Sequence, residues 1–214
     1  MDTLLPDERH NSARTRIVEV AIRLIEEKGL TGFRIEALCQ ELGYTRQNLY
    51  RYFPGKRAIL DAVIIESSKT MALLVAQQLG DLDGPFDEKL IEGVMIACDF
   101  IRDNPHRVSY SGRNQPLATA LFMENAEGVQ QALAAYLQPI YDEAKSRGEL
   151  YLNMSYDDIT KWLFHLVLSE VVSTPYESRE SRKQFLLKMF SPSINAKKAQ
   201  INATVHDVHS SHLR

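Results

Sequence analysis

The chain has 214 residues, 44% hydrophobic and 25% charged, an ordinary globular usage that suits one or two domains with a sizeable core. No apolar run reaches the ~18–20 residues that span a bilayer, and the polar start Met1–Asn11 is unlike a signal peptide, so a cytoplasmic protein with no membrane partner is expected. The net charge of −3 carries no global sign of nucleic-acid binding, but residues 1–58 hold ten Lys/Arg against eight Asp/Glu and the rest fifteen against twenty, a mild local excess of the sign a phosphate footprint needs.

Nearly every segment has a helical period, with no useful period-2 pattern and no internal repeat, so the fold class is all-α. Arg14–Lys28 carries Ile17, Ala21, Leu24 and Ile25 on one stripe, and Gly29 suits its C-terminal cap. A short helix over Ile35–Leu42 points Ile35, Leu38 and Leu42 inward. Gly43-Tyr44-Thr45 interrupts, and a third helix runs over Arg46–Phe53. Pro54-Gly55 stops it, and a long helix follows from Lys56 to about Leu79. Beyond the turn signal Gly80–Pro85 come Phe86–Asp103, a short helix over Pro105–Gly112, and a long region over Pro116–Arg147 that Gly128 and Pro139 are expected to bend. Tyr156–Ser173 and Ser178–Phe190 complete the helices. The tail Ser191–Arg214 has weak patterning and is expected to be loosely ordered.

The two cysteines, Cys39 and Cys98, lie far apart in apolar helical patterns with no metal or redox spacing. They read as buried free thiols in a reducing compartment. His206, His209 and His212 recur every three residues in the tail, and His165 stands alone. No metal spacing recruits His165, and the tail histidines, though three apart, lie in a stretch expected to be loosely ordered, so no metal or other cofactor is expected.

Residues Thr31–Phe53 form a predicted helix-turn-helix. Two short helices at a steep angle need a tight turn, which Gly43 permits. Thr45 can cap the helix that follows. Leu49 and Phe53, four apart, point inward toward Leu38, Leu42 and Ile25. The other faces carry Arg46, Gln47, Asn48, Tyr50, Arg51 and Tyr52. Solvation alone permits such a face, but its guanidinium and amide groups suit phosphates and base edges.

In Gly29, Ile35-Glu-Ala-Leu38, Gly43-Tyr-Thr45, Leu49-Tyr-Arg-Tyr-Phe53-Pro-Gly-Lys56 and Ile59-Leu60, the sequence resembles the TetR family of bacterial regulators. The resemblance covers about residues 14–62. It implies a three-helix DNA-binding head, residues 1–55, on a helical ligand-binding and dimerisation body, residues 56–190, followed by the tail 191–214. It puts Thr45, Arg46, Gln47 and Asn48 at the groove-facing start of the recognition helix, Tyr50 and Tyr52 at backbone or base contacts, and Lys56 at a phosphate. Arg14, Arg16 and Arg34 are further phosphate candidates, or plain surface charge. Three features depart from the family pattern. Arg34 replaces the usual capping Thr of the second helix, Cys39 and Leu42 replace small residues, and Tyr44 replaces a small turn residue.

The body carries Leu90, Ile91, Val94, Met95, Ala97, Cys98 and Ile101, then Leu117, Leu121, Phe122, Leu133, Tyr136, Leu137 and Tyr141. Most of these are core. The resemblance implies a pocket among the middle helices, with Met95, Cys98, Arg102, Tyr110, Phe122, Tyr136 and Trp162 as its expected lining. Arg102 and Arg113 are candidates for an anionic ligand group or simple surface charges. The helices near 156–173 and 178–190 are apolar on more than one face, which calls for a second partner, most simply the same pair in another copy.

The expected function is a repressor that binds a palindromic double-stranded operator as a homodimer and is released by a small, largely apolar effector. A ligand-dependent activator or a corepressor-type regulator is the alternative of the same fold. From other classes, an all-helical enzyme and a helical interaction module remain. No nucleophile elbow, phosphate loop or metal motif supports the enzyme, so none is expected.

Overall fold

The computed structural model describes residues 6–80, 82–103, 115–150, 155–172 and 178–194. The expected helix over Pro105–Gly112, Tyr110, Arg113 and the tail histidines lie outside them. The described residues form nine α-helices: α1 Pro6–Lys28, α2 Ile35–Leu42, α3 Arg46–Tyr50, α4 Lys56–Gly80, α5 Phe86–Asp103, α6 Gln115–Glu124, α7 Ala126–Ser146, α8 Tyr156–Val172 and α9 Arg179–Ile194.

Four boundaries differ from the sequence expectation. One is α9, which runs on to Ile194 where the helix was expected to end at Phe190 and a loose tail to begin. α1 begins at Pro6 rather than Arg14. Proline at the first helical position costs no hydrogen bond, and Asp7 and Glu8 in the first turn complement the helix dipole. α3 keeps α-helical bonding only to Tyr50, and Tyr52 and Phe53 then fold back onto the Leu49 carbonyl at 3.0 and 3.1 Å. The Pro116–Arg147 region is two helices, broken at Asn125 rather than bent at Gly128 or Pro139. The Asn125 amide donates to Leu121 O at 2.8 Å and to Asp61 Oδ1 at 2.9 Å. Pro139 is accommodated inside α7. It cannot bond the Ala135 carbonyl, and both residues lie on the exposed face, where water can replace that bond.

The chain divides into two compact units, 1–70 with 100–129, and 71–99 with 130–214. The division falls inside α4. In the first unit the core includes Ile17, Ala21, Leu24 and Ile25 of α1, Leu38 and Leu42 of α2, and Leu49, Phe53 and Ile59. In the second it includes Val75 and Leu79 of α4, Leu90, Ile91 and Val94 of α5, Leu133 and Leu137 of α7, and Leu163, Phe164 and Val167 of α8. Buried side chains recur every four residues along α4: Ile59, Val63, Ser67, Met71, Val75 and Leu79. Four residues overshoot a helical turn by about 40°, so the buried stripe winds by about 200° along the helix. That winding is why α4 lacks a single apolar face in its sequence.

Candidate nucleic-acid interface

The turn between α2 and α3 is built from two caps. Gly43 sits at φ 68°, and its N–H and that of Tyr44 return to the Gln40 and Cys39 carbonyls at 3.3 and 2.9 Å. A side chain at φ near +68° is strained, so glycine fits this position. Thr45 is extended, and its hydroxyl accepts from the Asn48 N–H at 3.1 Å. α3 is thereby started at a fixed residue, and Leu49, fully buried, anchors its underside.

The opposite side of α3 faces outward. Thr45, Arg46, Gln47, Tyr50 and Arg51 are exposed and Asn48 is half-buried. The Tyr50 ring is 44% exposed. Tyr52 is half-buried in an aromatic row, 5.1 Å from His10 and 6.3 Å from Tyr44 between ring centroids. Arg46 forms an ion pair with Glu36 of α2, across the turn. Sequence reasoning did not single out Glu36. The signal was an acid in the first turn of α2 ten residues before an arginine.

Three cations expected at phosphates have internal partners. The Lys56 ammonium donates to the Phe33 carbonyl at 2.7 Å and stands 5.4 Å from the Phe33 ring centroid. Burial and the neighbouring Arg34 charge hold it below the usual lysine range. Arg34 has no side-chain capping role on α2, and its guanidinium donates to Thr31 O at 2.6 Å and Phe33 O at 3.2 Å. Arg14 donates to the Tyr52 carbonyl and lies 4.0 Å over the Phe53 ring. It staples α1 to the end of α3. Arg16 is exposed. An ammonium or guanidinium has more donors than these bonds use, so Lys56 and Arg34 retain capacity for phosphate. Cys39 and Cys98 are both buried and neither is in a disulfide, and burial raises the Cys39 pKa.

The second unit holds a small apolar cleft with a cavity volume of about 30 Å³. Ala72, Val75 and Leu79 of α4, Leu90, Gly93, Val94 and Ala97 of α5, Leu133 and Leu137 of α7, and Leu163 and Val167 of α8 line it. A Cβ at Gly93 would lie 3.2 Å from Leu79 Cδ1 and from Val75 Cγ1, so this glycine keeps the α4 side of the cleft open.

Of the expected lining, Met95, Cys98, Arg102, Phe122, Tyr136 and Trp162 do not border this cleft, and Tyr110 lies outside the described residues. Met95 and Cys98 are fully buried on an adjacent stripe of α5, about 100° round the helix from Val94 and Ala97. The Met95 sulfur accepts from Arg182 Nε at 3.0 Å. Arg102 is exposed and Phe122 is buried in the first unit. Tyr136 and Trp162 are half-buried, and Trp162 meets Phe190 edge-on at 5.1 Å. Periodicity separated apolar from polar positions on α5. It did not say which apolar stripe meets a neighbour and which meets space.

α5 and α9 are joined by a charged cluster. Arg179 donates to Asp99 at 2.8 Å and pairs with Glu92. Lys183 pairs with Glu92 at 2.9 Å. Arg182, only 2% exposed, donates to Asp99 Oδ1 at 2.9 Å. Burial pushes the Glu92 carboxyl up, but the Lys183 and Arg179 partners outweigh it and hold the group below its ordinary range. Further along α9, Phe185 and Met189 are 46% and 54% exposed. Among the described residues no cluster of three or more metal-ligating side chains occurs, and no helix is long and apolar enough to cross a membrane.

A family profile described as bacterial regulatory proteins, tetR family, matches residues 17–63, which span the end of α1 to the first turns of α4. Over those residues the chain is similar to the TetR family of bacterial regulatory proteins. Similar proteins are regulators, not enzymes. An uncharacterized HTH-type transcriptional regulator of Mycobacterium tuberculosis is 22% identical over 132 residues, 62% of this chain and 65% of the relative. The chain thus aligns with a little under two thirds of that relative's length. The class D tetracycline repressor of Escherichia coli is 36% identical over 53 residues, 25% of this chain and 24% of its own. The crystal structure of RolR in complex with resorcinol superposes with a TM-score of 0.62 at 14% identity, covering 91% of this chain and 93% of that one. At that identity the likeness shows a shared fold.

Proposed function

We propose that this chain is a cytoplasmic TetR-family transcriptional repressor that binds double-stranded DNA through α3 and is released by a small apolar effector. In this reading residues 1–55 are the DNA-binding head and 56–190 the effector-binding and dimerisation body, with α9 running on to Ile194. One observation carries it: a short helix fixed by the Thr45 cap and the Leu49 anchor turns Arg46, Gln47 and Tyr50 outward. Those groups can bond base edges and phosphates without any change of fold.

The dimer is assigned to α8 and α9. Exposed Phe185 and Met189 are apolar area for a two-fold related copy to cover. Two copies of α3 would then meet successive major grooves of a palindromic operator, ~34 Å apart. The effector is assigned to the apolar cleft, whose lining has no charged side chain. The RolR structure, solved with resorcinol, supports a small-molecule effector for the fold. α4 connects the two functions, because Ala72, Val75 and Leu79 line the cleft while Arg57 and Asp61 nearer its start bond Glu124 and Asn125. An effector that displaces α4 would alter the spacing of the heads and lower operator affinity.

The test is fluorescence anisotropy with duplex DNA from upstream of the chain's own coding sequence, over a series of salt concentrations. The expected result is specific binding whose logarithm falls linearly with the logarithm of salt concentration. Folded protein that binds neither this DNA nor any sequence selected from a random pool overturns the proposal.

A further inference from the structure

We propose that Glu36 and Arg46 act as one unit that reads a single G·C base pair in each half-site, Arg46 donating to guanine and Glu36 accepting from the cytosine amino group. This rests on the DNA-binding reading above and adds to it which base pair is read, and by which second residue.

The argument begins from the ion pair. Glu36 projects from the first turn of α2 and Arg46 is the first residue of α3. Their side chains meet across the turn while remaining 60% and 59% exposed. The carboxylate therefore lies beside the arginine at the outward start of α3. A carboxylate placed against DNA is repelled by the phosphates. It is tolerated where a cation neutralises it and where a base offers it a donor. In the major groove guanine presents two acceptors, O6 and N7, and its partner cytosine presents the N4 amino donor beside them. Arginine pairs with the first two and a carboxylate with the third. Two side chains held in mutual contact thus match two groups adjacent on the edge of one base pair. An A·T pair offers acceptor, donor and acceptor in turn, and gives the guanidinium no pair of adjacent acceptors. The Arg23–Glu41 pair, at 2.7 Å between α1 and α2, includes no residue of α3 and has no part in this reading.

The contact also limits the freedom of Arg46. Its guanidinium bonds Glu36 with Nη2, so the long side chain is ordered before DNA arrives and loses less entropy on binding. Because the pair is exposed, it adds little to folding, and variants at either residue are expected to fold.

The experiment selects duplexes from a randomised pool with the full-length chain and with its Arg46→Ala and Glu36→Ala variants. It then titrates the selected operator with single-atom-group analogues. The expected motif contains one G·C pair per half-site whose preference is lost in Arg46→Ala. Replacing that cytosine by 2-pyrimidinone, which lacks the N4 amino group, is expected to weaken the unmodified protein by about five- to 150-fold. The same replacement should leave the affinity of Glu36→Ala nearly unchanged. An Arg46-sensitive position that is not G·C overturns the inference, as does an analogue penalty equal in both proteins, while DNA binding itself stands. Failure of the unmodified chain to enrich any motif overturns both readings.

Discussion

Single residues divide α3 into an inner side that holds the fold and an outer side assigned to DNA. Leu49 is fully buried beneath the helix, so Leu49→Ala should cost about 2–5 kcal/mol in denaturant unfolding. Thr45→Ala removes the side-chain cap on the Asn48 N–H and should cost about 1 kcal/mol. Gln47→Ala touches neither, because Gln47 is exposed. Its stability should stay within about 0.5 kcal/mol, while operator affinity falls by about 1–3 kcal/mol if its amide reads a base. These roles were legible in the sequence because they depend on neighbours a few residues away. The partners of Lys56 and Arg14 were not. Phe33 O and Tyr52 O are 23 and 38 residues distant, and a backbone carbonyl leaves no mark in a pattern of side chains.

Helix limits followed a similar rule. α2 and α5 begin and end where their periodicity and caps put them. The α6–α7 break did not follow, because the amide that closes α6 also reaches Asp61 of α4, and that long-range partner favours the break at Asn125. Asn125→Ala should cost about 1–2 kcal/mol by leaving these acceptors without their donor. The α5–α9 cluster makes a pH prediction. The folded pKa of Glu92 lies below its unfolded value of about 4.3. Its contribution to stability is therefore complete above about pH 4.3 and is lost as pH falls through the lower folded value. Trp162, the single tryptophan, contacts Phe190 of α9 and reports on the α8–α9 contact. Denaturant unfolding followed by Trp162 fluorescence should show Glu92→Gln weakened at about pH 7. The difference from the unmodified chain should shrink as pH falls below about 4.

At the scale of the molecule, the sequence made the helical class and the head legible, because a short helix-turn-helix carries its signature in one contiguous stretch. The two compact units were not legible, since residues 100–129 group with 1–70 and residues 71–99 with 130–214. The cleft was hidden for a related reason: its lining combines four helices, each contributing a few ordinary apolar residues. If it holds the effector, Ala97→Val should narrow it, leaving operator binding intact while weakening release by effector in an anisotropy titration. The central claim is that two copies of α3 meet successive major grooves. Hydroxyl-radical footprinting of the selected operator tests it most directly. Two protected tracts with centres about one helical turn apart, ~10 bp, are expected from the dimer, and both should vanish in Arg46→Ala combined with Gln47→Ala. A single tract, or protection unchanged in that double variant, would contradict it.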